Sequence, residues 1–191
     1  MEISTASALL SVALGIGLAA AVGLRVFLPL LITAVAGATG HVDLAPSFEW
    51  LATTPALVML GVATVLELFA YYIPGVDNLL DVIATPTAVV AGAVVAAAVM
   101  ADLPPLVKWT TAIIAGGGVA GLTQGVTALV RAKSTATTGG LGNSAVATGE
   151  LGGSIVLTVL ALAAPVIAVA LVVLVVWLAV RLVRRLLRPV R

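Results

Sequence analysis

Over most of its length the chain carries hydrophobic residues with almost no polar interval. Ile83–Ala101 and Val166–Val180 contain no charged residue at all. Uninterrupted apolar runs of this kind predict bilayer-crossing helices. A membrane β-barrel would instead alternate polar and apolar residues over segments of ~10 residues. The runs predict six spans, at roughly Ser7–Gly23, Pro55–Ile73, Ile83–Ala101, Trp109–Val130, Asn143–Ala163 and Val166–Val180. The expected fold is an all-α polytopic membrane helix bundle forming a single transmembrane domain over residues 1–191. Its halves cover 7–101 and 109–180, and residues 181–191 form a basic, amphipathic cytoplasmic tail.

The first apolar stretch continues past Gly23 to Ala38. As one helix, Ser7–Ala38 would be ~48 Å long, against a hydrocarbon layer of ~30 Å. Pro29 removes a helix hydrogen bond and Gly23 weakens the turn before it. A broken or re-entrant segment is expected, with Arg25 at the break. The first clear loop, Gly40–Thr54, holds His41, Asp43, Glu49 and Trp50 but no Lys or Arg. Pro74–Asn78 reads as a turn leading into a short helix start bearing Asp77 and Asp81. Asp102–Pro105 ends the third span. Arg131–Gly142, rich in Ser, Thr and Gly, reads as a linker carrying Lys133.

Against this background Leu141–Thr158 is anomalous. Asn143, Ala147, Glu150, Ser154 and Thr158 are spaced 4, 3, 4 and 4 apart, so they line one face of a helix. A lipid-facing helix would not tolerate that face, whereas one wrapped by other helices would. Glu67 lies in another apolar run, with Thr64 and Tyr71 at helical spacing. The fourth span has a stripe of Gly117, Gly121, Gln124, Thr127 and Arg131, whose glycine pair permits close helix approach.

Hydrophobic residues make up 62% of the 191 positions and charged residues 9%, far below the ~25% of soluble domains. The absence of cysteine excludes disulfides and thiolate chemistry. No Lys or Arg precedes the first apolar run, so it reads as a retained span rather than a signal peptide. Five of the nine basic residues lie in 181–191. The positive-inside rule places that end in the cytoplasm, beside an anionic leaflet. Six spans then put both termini in the cytoplasm of a cell (inner) membrane, with residues 40–54 outside.

The two intramembrane carboxyls carry the candidate chemistry. A charge near the bilayer centre costs about 3 kcal/mol on insertion scales, and glutamine would cost less, so a retained Glu points to use of its charge or titration. Two protonated, purely structural carboxyls are the bland alternative. Glu67 and Glu150 are the expected ion- or proton-binding groups. Asn143, Ser154, Thr158, Gln124 and Thr127 are expected to line the path. Arg25 and Lys133 are candidate counter-ions or anion binders. Asp77 and Asp81 read as helix-start acids. Trp50, Trp109 and Trp177 read as interface anchors, and no metal role is assigned to His41.

No phosphate-binding loop, nucleophile motif or His/Cys cluster is present, so neither an enzyme nor a cofactor is expected. The expected partners are the bilayer, anionic lipid at the terminal arginines, a small ion or solute, and a second copy in a homo-oligomer. Nucleic acid is not among them. The leading expectation is a small transporter or channel. The alternatives are a lipid-phosphate handler using Arg25 and Lys133, and a scaffold or accessory subunit without a path.

Val62–Leu68 and Val146–Leu151 share similar phrasing around Glu67 and Glu150, which reads as a weak inverted repeat of three spans per half. Gly23–Leu31, the Ile73–Ile83 block after Glu67, and the Asn143–Glu150 stripe after Lys133 resemble a multi-pass bacterial and plant membrane family, the domain-of-unknown-function family 4126. The resemblance covers roughly residues 10–165, and the phrase at Ile73–Asp81 is its most specific part. Family members usually carry Asp-Lys where this chain has Tyr71-Tyr72, and often Glu-Asp where it has Glu150-Leu151. The resemblance implies a multi-pass architecture and no particular activity. A looser similarity links Glu150–Ser154 to the Glu-x-Gly-Asp motif of inverted-repeat cation exchangers, without the Asp.

Overall fold

The computed structural model describes residues 4–73 and 75–186. Its regular structure there is helical: α1 (Thr5–Val22), α2 (Phe27–Ala38), α3 (Thr54–Ala70), α4 (Val76–Val99), α5 (Pro105–Thr111), α6 (Gly118–Thr138), α7 (Asn143–Ala163) and α8 (Pro165–Leu186). A 3₁₀ turn covers Pro46–Ala52, and a π-turn, Ala112–Gly117, joins α5 to α6. The end of the basic tail, residues 187–191, lies outside the described residues.

Four described segments are long and apolar enough to cross a membrane: Thr5–Val22, Val76–Val99, Pro105–Thr138 and Asn143–Ala163. The 3₁₀ turn and α3 make a fifth if counted as one span bent by 65°. Thus the described helices supply four or five of the six expected spans. The difference lies in α3, which has 17 residues, and in α8, whose described apolar part, Pro165–Trp177, is short.

The break beside Arg25 reverses the chain. The Gly23 and Arg25 amides close α1 on the carbonyls of Ala19 and Ala21. A Cβ on Gly23 would lie 2.5 Å from the Ala120 carbonyl oxygen, so only glycine lets the hairpin tip approach α6 this closely. Pro29 is not the break. It falls in the first turn of α2, where its missing N–H would be unpaired in any case. The interruption spans Gly23–Val26 instead.

Two contacts give the direction of α2. Ala34 shares a buried cluster with Ala45, Phe48 and Ala98, and the Ala45 amide donates to the Ala98 carbonyl at 2.7 Å. In α1, a Cβ on Gly15 would touch Met100 and Ala96. The start of α1 and the end of α2 therefore lie at the same end of the bundle as Met100. Together α1 and α2 form a helical hairpin whose tip, at Gly23–Val26, is packed against α6. From Pro165, α8 passes Gly17 at Ala168 and Leu24 near Val176, and so runs towards the opposite, Asp77 end.

The loop at 40–54 is partly interior, because its 3₁₀ turn packs Phe48 and Leu51 against Ala96–Ala98 and Met100. The turn at Asp77 and the third expected span form one helix, α4, which accommodates Pro86. Gly92 of α4 and Gly116 bring two backbones together, since a Cβ on Gly92 would lie 2.9 Å from the Gly116 carbonyl oxygen. Gly117 and Gly121, the pair read from the sequence, both face Val89.

Most of the expected linker at 131–142 is helix. It persists to Thr138, and Gly139 (φ 64°) and Gly140 (φ 91°) then turn the chain in the left-handed region. Its hydroxyls do not break it because they bond back along it, Thr137 to the Lys133 carbonyl and Thr138 to that of Ser134. The first half of the chain thus holds a hairpin where the second holds one long rod, Pro105–Thr138. The helix breaks do not repeat between halves.

Candidate functional site

The polar stripe of α7 faces inwards. Asn143, Ala147, Glu150, Ser154 and Thr158 are all buried, while Ser144, Thr148 and Gly152 on the other faces are exposed. Its two halves differ in chemistry. Towards the Met100 end, Ser154 donates to the Ala21 carbonyl at 3.2 Å and Thr158 to the Ser154 carbonyl at 2.6 Å. Those hydroxyls serve backbone carbonyls, one of them at the end of α1.

Glu150 belongs to a charge cluster. Its Oε2 accepts from Arg131 Nη2 and lies 3.4 Å from Arg25 Nη2. Arg25 Nη2 also donates to the Ala147 carbonyl at 2.8 Å. Arg131 Nη1 reaches Asp81 Oδ1 at 2.8 Å. That same oxygen accepts longer bonds, at 3.4 Å, from the Tyr71 hydroxyl and from Gln124 Nε2. The Tyr71 ring has Arg25 Cζ at 4.0 Å and Arg131 Cζ at 4.2 Å from its centroid. The aromatic ring faces both guanidinium groups, which favours cations through its quadrupole.

Both arginines are 1% exposed. Charges so deep are tolerated only when paired and hydrogen-bonded. Here the hairpin tip, α4, α6 and α7 each contribute one charge: Arg25, Asp81, Arg131 and Glu150. Satisfaction is incomplete. Arg25 Nε and Nη1, Arg131 Nε and Glu150 Oε1 are buried without a hydrogen-bond partner.

Glu67 is placed apart from that network. Its Oε1 accepts from the Val26 amide at 2.7 Å and its Oε2 from the Phe27 amide at 3.1 Å. These are orphan donors at the start of α2, so Glu67 acts as a cap delivered from α3. A carboxylate there also meets the positive end of the helix dipole. Glu67 and Glu150 approach the hairpin tip from different helices, one on its backbone and the other on the Arg25 side chain.

The remaining candidates divide in the same way. Gln124 is buried beside Asp81, whereas Thr127 is half-buried and bonds only the Gln124 carbonyl. Lys133 is exposed on α6, outside the cluster. Asn143 Nδ2 donates to Asp77 Oδ2 and, at 2.8 Å, to Thr135 Oγ1. His41 is exposed and its Nδ1 lies 2.8 Å from Thr39 Oγ1. Among the described residues no three His, Cys, Asp or Glu side chains gather to hold a metal ion. Arg131 and Asp81 are site members that the sequence reading assigned to a linker and a helix start. The signal for Arg131 was its place on the stripe with Gln124 and Thr127.

A cleft of about 130 Å³ opens at the Asp77 end, lined by Tyr71, Tyr72, Asp77, Leu141, Asn143 and Ser144 among others. Tyr71 separates it from the charge cluster. Towards the Met100 end, Leu18, Val22, Val95 and Leu157 pack in an apolar cluster.

The chain matches the domain of unknown function 4126 over residues 12–185 and so belongs to that family. No curated protein and no solved structure matches it.

Proposed function

We propose that this member of family 4126 is a small membrane transporter for a monovalent cation or cationic solute, with Glu150 as its exchanging carboxylate. The observation that carries the reading is one buried carboxylate shared by two guanidinium groups at the tip of the α1–α2 hairpin. Broken helices meeting within the bilayer are a recurrent way to build ion sites, because backbone ends and side chains converge there without facing lipid. A proton or cation arriving at Glu150 competes with Arg25 and Arg131 for it. Neutralising Glu150 loosens its hold on Arg25 and hence on the hairpin tip, which is packed against α6 at Gly23. Movement of the hairpin relative to α7 would then open the Met100 end.

Two observations weigh against the lipid-phosphate reading. An apolar groove between α1, α6, α7 and α8 is lined by Ala20, Leu24, Val156 and Val172 among others, without Arg25. Arg25 already bonds Ala147 and pairs with Glu150. Flux assays on proteoliposomes separate transport from a scaffold role. The wild type is expected to pass protons or monovalent cations above the leak of protein-free vesicles, and equality with that leak would sink the proposal.

The charge distribution supports an orientation in the cell membrane. Lys133 and Arg181 lie at the Asp77 end, whereas Asp43, Glu49 and Asp102 lie at the other with a single base, Lys108, so the Asp77 end is taken as cytoplasmic. The hairpin then changes the expected topology, because the start of α1 and the end of α8 lie on opposite sides. Since the chain lacks cysteine, single-cysteine variants test this without background. A membrane-impermeant maleimide added outside should label Ser7→Cys and Ser47→Cys but not Ala136→Cys. Labelling of Ala136→Cys with Ser7→Cys protected would reverse the assignment.

A further inference from the structure

The charge cluster balances its own four charges, and Asp77 stands outside it. It is 1% exposed and forms no ion pair among the described residues. The start of α4 offers it the positive end of a helix dipole, worth about half a charge. Its Oδ1 accepts from the Gly75 amide at 2.9 Å and its Oδ2 from Asn143 Nδ2. Each oxygen keeps accepting capacity.

Asn143, only 3% exposed, lines the same cleft, and its Oδ1 has no hydrogen-bond partner. An amide flip would not cure this, because it would turn the carbonyl oxygen onto the Asp77 carboxylate and lose the donor to Thr135. Ser144 Oγ, at the cleft wall, donates at 3.3 Å to the Leu141 carbonyl and can still accept. The cleft is thus lined by one carboxylate without an ion-pair partner, two neutral side chains with accepting capacity, and apolar walls from Leu141 and Tyr72.

We propose that this cleft binds a small primary ammonium ion, with the Asp77 carboxylate, Asn143 Oδ1 and Ser144 Oγ accepting its three N–H bonds. A primary ammonium has three donors and no acceptor, which matches a site short of donors. A divalent metal is a poorer match, since hard divalent cations collect six or more oxygens, usually from several carboxylates. The cleft volume of about 130 Å³ suits a short alkyl chain. The inference deepens the transport reading by naming its solute class, and rests on that reading only for the fate of the bound ion.

Binding is measured on the purified full chain in nanodiscs, without flux, using ¹³C-ethylammonium followed by NMR. Saturable binding is expected, displaced by methylammonium but not by tetramethylammonium at equal ionic strength, since the latter has no N–H donor. Asp77→Asn should weaken binding by about tenfold, the scale of one charge-assisted hydrogen bond. Should Asp77→Asn fail to fold, Ser144→Ala, on an exposed position, decides the matter with a weakening of about threefold. The proposal is overturned by non-saturable binding, by equal displacement with tetramethylammonium or potassium, or by unchanged affinity in these variants. Binding without flux would remove the transport reading and leave this site standing. Proton flux without ethylammonium binding would do the reverse.

Discussion

Replacing Arg131 with methionine should destabilise the protein by about 3–5 kcal/mol, the scale for removing one partner of a buried ion pair. The change leaves Glu150 and Asp81 without their shared guanidinium and keeps most of the apolar stem of the side chain. Reversible unfolding in mixed micelles measures the loss. Adding Glu150→Gln to Arg131→Met should recover part of it, with a coupling of about 1 kcal/mol or more for residues in one network. A loss below about 1 kcal/mol for the single variant would mean that Arg131 does not hold this cluster together.

The second large effect is at the hairpin. Glu67→Ala deletes two charge-assisted bonds to the Val26 and Phe27 amides, which has an expected cost of about 2–4 kcal/mol. Glu67→Gln retains one acceptor oxygen and should cost about half as much. Hydrogen exchange gives the local readout: the Val26 and Phe27 amides should lose protection in both variants, more in Glu67→Ala, while α7 amides beside Ser154 stay protected. Unchanged exchange at residues 26 and 27 would show that the tip is held by packing at Gly23 alone.

Much of this arrangement was legible in the sequence. The α7 stripe followed from spacing, and all its members are buried, with Leu157 and Ala161 beside them. The break near Arg25 followed from length, because no bilayer accommodates a straight helix through Ala38. The direction of the chain after that break was not legible. Hydropathy records how apolar a segment is, not which way it runs, and the reversal is fixed by distant contacts such as Ala45 with Ala98. The partners of Glu150 were hidden for a related reason. Arg131 and Asp81 lie 50 positions apart and near the ends of apolar runs, where a charge ordinarily reads as a solvated boundary. Only the packing of α4 against α6 brings them together. Glu67 and Glu150 looked equivalent because both are carboxyls in apolar helices. The backbone break gives one of them a capping role.

The central claim is that Glu150 is exchanged during transport rather than fixed for structure. Currents from proteoliposomes on a solid-supported membrane, evoked by a jump in proton or monovalent-cation concentration, test it most directly. Glu150→Gln keeps the shape and an acceptor oxygen for Arg131 but removes the charge and the titration. The account predicts a current in the wild type and its loss, by about tenfold or more, in Glu150→Gln protein whose melting confirms a folded state. Equal currents from wild type and folded Glu150→Gln would contradict it.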